Sequence, residues 1–78
     1  MRNQYLEFTN IWDGKIAVLK CDVVSVQEIK NGFNKKYIKT HKFLKGVERC
    51  TLVFMRNGSV FYSKDTYEDI MMQFKNNE

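Results

Sequence analysis

Thr51-Leu52-Val53-Phe54-Met55-Arg56-Asn57-Gly58-Ser59-Val60-Phe61-Tyr62-Ser63 is the stretch on which the fold turns. Two runs rich in β-branched and aromatic residues flank Asn57-Gly58, a dipeptide that tolerates positive φ at both positions and therefore predicts a two-residue type I′ hairpin. Such a loop pairs Met55 with Val60, Phe54 with Phe61 and Val53 with Tyr62. Both faces of the ribbon are then apolar. One helix hides one face of a sheet, so the second face needs another cover: a basic segment, another hairpin folding over, or a partner subunit.

The helix follows at once. Thr66 is a good N-cap, Asp69 stands three residues on in a capping-box-like position, and Glu68 and Asp69 complement the N-terminal end of the helix dipole. Tyr67, Ile70, Met71 and Phe74 fall at i, i+3, i+4 and i+7, an apolar stripe made to lie on the sheet. Beyond it Asn76-Asn77-Glu78 is expected to fray.

Upstream, residues 5–20 read as two strand-like runs around Asp13-Gly14, a second hairpin signal. A two-residue loop there pairs Trp12 with Lys15, Ile11 with Ile16, Phe8 with Leu19 and Glu7 with Lys20. One face collects Leu6, Phe8, Ala17, Leu19 and Cys21, and the other carries Glu7, Thr9, Val18 and Lys20. After a short bend at Cys21-Asp22, residues 23–29 predict a third strand with Val24 and Val26 on one side and Val23, Ser25, Gln27 and Ile29 on the other. Residues 30–48 lack clean periodicity; a strand over 36–42 places Tyr37, Lys39 and His41 together, with Phe43-Leu44 tucked under the loop. The fold class is α+β: an antiparallel sheet of about five strands, from two tight hairpins and a middle strand, packed by one C-terminal helix.

With 78 residues the chain has room for one domain, 1–78, and no second core. An apolar fraction of 44% with 14% aromatic residues suits a packed globule rather than disorder. No apolar run approaches the roughly 20 residues of a membrane helix, which excludes membrane insertion. Two cysteines without a disulfide-rich pattern or a leader point to a reducing, cytoplasmic setting. The net charge of +4 is unevenly spread. Residues 29–47 hold Lys30, Lys35, Lys36, Lys39, Lys42 and Lys45 and no acidic residue, which leaves seven basic against nine acidic groups elsewhere.

Three stretches carry a resemblance: Phe8-Thr9-Asn10 with Asp13-Gly14-Lys15; Asp22-Val23-Val24-Ser25-Val26-Gln27-Glu28; and Leu52-Val53-Phe54 through Asn57-Gly58 to Asp65-Thr66-Tyr67-Glu68-Asp69-Ile70. In this order they resemble the small flagellar and swarming proteins of the FlbD type, and related short proteins of bacteria and their phages. The likeness covers most of the chain except residues 30–48. It implies a fold and a motility-accessory role, and brings no catalytic residue with it. The family pattern has a shorter connection where this chain has residues 30–49, which marks the basic insertion, 30–48, as its distinctive part.

Chemistry-bearing constellations are scarce. His41 is the only histidine and has no Cys or carboxylate at ligand spacing, so no metal site is predicted. Cys21 and Cys50 lack a C-x-x-C partner and read either as small core residues or as reactive thiols, the former being the commoner fate. No nucleophile elbow and no Gly-rich phosphate loop occurs, and Asp65, Glu68 and Asp69 are explained by the helix start. No cofactor is implied, and an enzyme is not expected.

What remains is binding. Lysines interleaved with Phe33, Tyr37 and Phe43 are the mixture of charge and rings used by single-stranded nucleic acid sites. The alternative is a solvated lysine-rich edge that guards against strand pairing, and lysine in place of arginine favours it. An acidic protein or a phosphorylated ligand also suits such a segment. Trp12, with Ile11 and Ile16 at a hairpin tip, reads as an interface anchor, and a chain this small gains buried area by forming a homo-oligomer. The sequence therefore predicts a small non-enzymatic binding or adaptor protein, such as a phage-encoded inhibitor or sequestering protein, with Lys35, Lys36, Tyr37, Lys39, His41, Lys42 and Trp12 as candidate partner-binding residues. A single-stranded nucleic-acid-binding module and a flagellar accessory protein are the alternatives.

Overall fold

A computed structural model describes residues 4–75, so the fraying expected at 76–78 lies outside the described residues. The fold is α+β with five antiparallel strands and a C-terminal helix, the strands being divided between two sheets. β1 (Tyr5–Thr9) and β2 (Lys15–Leu19) form a hairpin. A 3-10 turn at Lys20–Asp22 leads into β3 (Val23–Ile29), which pairs with β4 (Cys50–Met55), and β4 with β5 (Val60–Ser63). The connection from β3 to β4 contains a short helix, α1 (Lys35–Thr40), and β5 runs into α2 (Tyr67–Lys75).

The second hairpin corrects its predicted register by one residue. Gly58 takes the left-handed φ of +92°, its N–H donates to the Met55 carbonyl at 3.0 Å, and Met55 N–H donates to the Ser59 carbonyl at 2.9 Å. The loop is thus the three residues Arg56-Asn57-Gly58, with the Asn57 side chain accepting from Ser59 N–H at 2.9 Å. Leu52 consequently faces Tyr62, Val53 faces Phe61 and Phe54 faces Val60. A one-residue slip exchanges the faces of a strand, yet both faces here are apolar and both are used.

The first hairpin departs further. Asn10 rather than Asp13-Gly14 organises its loop: Asn10 Oδ1 accepts from Trp12 N–H and Gly14 N–H, each at 2.9 Å, while Asp13 alone takes a positive φ, +68°. This five-residue loop pairs Leu6 with Val18 and Phe8 with Ile16, three residues from the expected register. Leu6 and Phe8 therefore share the core face with Ile16 and Val18, while Ala17, Leu19 and Cys21 turn outward. The predicted Glu7–Lys20 pair is replaced by Lys20 Nζ donating to the Gln73 carbonyl at 2.6 Å.

In β3 a bulge between Val23 and Ser25 sends Val23 and Val26 to one core and leaves Val24 67% exposed, where alternation had put Val24 beside Val26. Thr66 Oγ1 accepts from Asp69 N–H at 3.0 Å, the predicted cap of α2. Ile70 is fully buried, and Tyr67, Met71 and Phe74 are half-buried beside it. Gln73 clamps the helix onto β1 by accepting from Glu7 N–H and donating to the Glu7 carbonyl.

Two cores result. Leu6, Phe8, Val53 and Ile70 fill the first, between the β1–β2 hairpin, the three-stranded sheet and α2. On the opposite face, Leu44, Cys50, Leu52 and Tyr62 form the second beneath residues 33–47. The basic segment is therefore the cover for the second apolar face, supplied by the chain itself.

Candidate binding surface

Residues 30–48 were the least periodic part of the sequence, and the structure makes them an aromatic lid. The strand predicted over 36–42 is instead α1. Its reason is Asn34, whose Oδ1 accepts from Tyr37 N–H at 2.7 Å and caps the first turn. In a helix Tyr37 and His41 stand one turn apart on the same side, and their rings stack at 4.1 Å with 7° between planes. Lys39, predicted on that side, points to solvent with Lys35 and Lys36. A 3-10 turn at Lys42–Leu44 follows, driving Leu44 to full burial as expected while Phe43 stays 43% exposed.

The rings form one continuous array. Phe33 stacks on Tyr37 at 5.3 Å, and His41 meets Phe43 edge-on at 5.9 Å. Phe43 lies edge-on to Tyr62 at 5.2 Å, and Trp12 leans on Phe43 at 5.3 Å with 43° between planes. Tyr62 rises from β5 beneath the array, and its hydroxyl is 2.7 Å from that of Tyr37. Of the predicted residues, then, Trp12, Tyr37 and His41 are joined through Phe43. Lys35, Lys36, Lys39 and Lys42 line the solvent side of the same segment.

Trp12 reaches this array from the other end of the chain because its loop is tied to β5. Ile11 N–H donates to the Tyr62 carbonyl at 3.0 Å, Lys64 N–H to the Thr9 carbonyl at 3.0 Å, and Asn10 bridges to Ser63. Lys64 also pairs with Asp13 at the loop tip, which raises the lysine's pKa through that hydrogen bond and the carboxylate charge. Sequence reasoning missed Tyr62 as the floor of the surface and Asn10 as the residue that presents Trp12. An asparagine four residues ahead of a loop glycine was the available signal for the second.

Electrostatically the site has a neutral floor and a cationic rim. Burial first, then the Tyr37 hydroxyl, push the Tyr62 phenol well above its ordinary range, and burial raises the Cys50 thiol from 9.0 to about 11. His41 Nδ1 lies 2.8 Å from Thr40 Oγ1 and 3.1 Å from the Tyr37 carbonyl, so its polar edge is engaged within the lid. Asp65 is committed to structure: its carboxylate accepts from Thr9 N–H and its carbonyl from Thr51 Oγ1. Among the described residues no three His, Cys, Asp or Glu side chains cluster at metal-binding range, and no helix is long and apolar enough to cross a membrane. Comparison with protein-family models, with curated proteins and with solved structures found no match for this chain.

Proposed function

We propose that this chain is a small non-enzymatic binding protein that engages an acidic partner protein through Trp12 and the lysine-rich lid, residues 33–47. The observation carrying the reading is Trp12 itself, an indole 60% exposed and propped on a second exposed ring, Phe43. Interfaces use such rings as anchors, and charged side chains around them select the partner and speed encounter. The lysines add a second support. Lys35 and Lys36 occupy the first turn of α1 with no acidic residue there, and Lys35 lies one turn from Lys39. Both arrangements repel, and an anionic surface relieves both. Sequestration or inhibition of host machinery by a phage-encoded protein suits such a surface, and the free thiols of Cys21 and Cys50 suit the reducing cytoplasm.

Capture on the immobilised protein from a nuclease-treated extract of the producing cell tests the reading. A protein retained by the wild type should be lost on Trp12→Ala and on the paired change Lys39→Glu with Lys42→Glu; retention by both variants sinks the proposal. One observation favours a second reading, single-stranded nucleic acid. Phe43 is the ring neighbour of Trp12, so the far side of the indole is open for a base to stack. In that case an oligothymidylate quenches the fluorescence of this single tryptophan, with affinity falling steeply as salt rises.

A further inference from the structure

The hydrogen bonds of the lid, residues 33–47, close on themselves. His41 N–H donates to the Tyr37 carbonyl at 3.0 Å, Leu44 N–H to His41 at 2.9 Å and Val47 N–H to Leu44 at 3.0 Å. Among the described residues a single hydrogen bond leaves the segment, the one between the Tyr37 and Tyr62 hydroxyls. Burial is equally thin: within the lid Leu44 alone is buried, and α1 buries none of its residues. The body of the fold is stitched differently. Gln73 bonds both ways with Glu7, Lys20 Nζ reaches the Gln73 carbonyl, and Asp65 accepts from Thr9 N–H and from Thr51 Oγ1. At the two ends of the lid Gly32 and Gly46 take left-handed φ values of +76° and +86°, and Gly32 N–H donates to the Glu48 carbonyl at 2.8 Å, which draws those ends together. A loop with joined ends and its own internal bonds can come away from a fold as one piece. Charge loosens it further, because Lys35 and Lys36 oppose the dipole of α1 and Lys35 repels Lys39 one turn on.

We propose that the lid opens as a unit of its own while the five strands and α2 stay in place, and that its closure switches the binding surface on. A helix of six residues does not hold itself together in water, so a lid that leaves the sheet also loses its turns. Opening parts Phe43 from Trp12 and Tyr37 from Tyr62, and spreads the lysines over an unstructured loop. A partner that bridges Trp12 and the lid lysines meets its full surface only in the closed state, and its apparent affinity scales with the closed fraction. That consequence rests on the function proposed above, whereas the opening is a property of the free chain.

Amide hydrogen exchange of the free chain, followed by NMR in small increments of urea, tests the opening without any partner. The His41, Leu44 and Val47 amides should exchange at least about tenfold faster than the slowest amides of β4, with a weaker dependence on urea, since opening the lid exposes less surface than unfolding the sheet. Ile70→Val, in the first core, should lower the protection of β4 roughly threefold to tenfold and leave that of the lid unchanged. A Cβ at Gly46 would meet nothing within 4 Å, so Gly46→Ala adds only backbone strain, present while the lid is closed. It should weaken lid protection about tenfold, with circular dichroism showing the sheet intact. Lid and β4 amides that respond in step to urea and to Ile70→Val overturn the proposal, as do lid amides indifferent to Gly46→Ala or exchanging at free-peptide rates in the wild type. Any of these outcomes leaves Trp12 as an anchor untouched, so the two readings fail separately.

Discussion

At Tyr62 burial, a hydrogen bond and two edge-on rings meet in one side chain 8% exposed. Removing either hydroxyl of the Tyr37–Tyr62 pair strands the other, so Tyr37→Phe and Tyr62→Phe should each cost about 1 to 2 kcal/mol. The double variant should cost less than the sum of the two, which a double-mutant cycle in urea measures. Cys50 provides a pH signature. Its thiol is protonated in both states below pH 9; between 9 and about 11 the unfolded chain releases that proton while the folded chain keeps it. The folded state then binds more protons, so stability falls as pH rises through this window, by at most about 2 to 3 kcal/mol. Tyr62, also raised, extends the loss above its unfolded value of 10.0. Urea midpoints from pH 8 to 11 should decline for the wild type and decline less for Cys50→Ala. At neutral pH a thiol reagent should label exposed Cys21 quickly and buried Cys50 only on unfolding.

At the scale of elements, the legible features were those set by neighbouring residues. The capped stripe of α2 and the existence of both hairpins follow from side chains within a few positions of one another. Registers did not, because Asp13-Gly14 and Asn57-Gly58 mark a turn without fixing how many residues it contains. In the first hairpin the Asn10 side chain captures two N–H groups and lengthens the loop; in the second a left-handed Gly58 adds a residue. Asn10→Ala should therefore cost about 1 to 2 kcal/mol and disorder the presentation of Trp12, read as a red-shifted, less anisotropic indole emission. Thr66→Ala should cost about 1 kcal/mol by uncapping α2, visible as a lowered thermal midpoint. The helix over 35–40 was illegible for a related reason. Six residues are too few for a hydrophobic period, and only the Asn34 cap distinguishes them from a strand.

Across the whole molecule, the sequence showed that the ribbon 51–63 had two apolar faces and left open what covered the second. The answer depends on contacts between residues far apart in the chain, Leu44 on Leu52 and Tyr62 above all, which no local pattern encodes. The candidate site was legible as a list of lysines and rings, while its assembly through Phe43 and Tyr62 was not. Leu44 is fully buried, and Leu44→Ala should cost about 2 to 5 kcal/mol, a large share of the stability open to so small a domain. Chemical denaturation should show the midpoint falling accordingly.

That the lid serves as both roof and candidate contact surface ties recognition to folding by mass action. Any ligand that requires the native packing of residues 33–47 binds the folded chain alone, and therefore lifts the melting temperature in step with its concentration. The converse also holds: a lesion in the roof weakens capture even where it touches no ligand, since part of its affinity is spent restoring the roof.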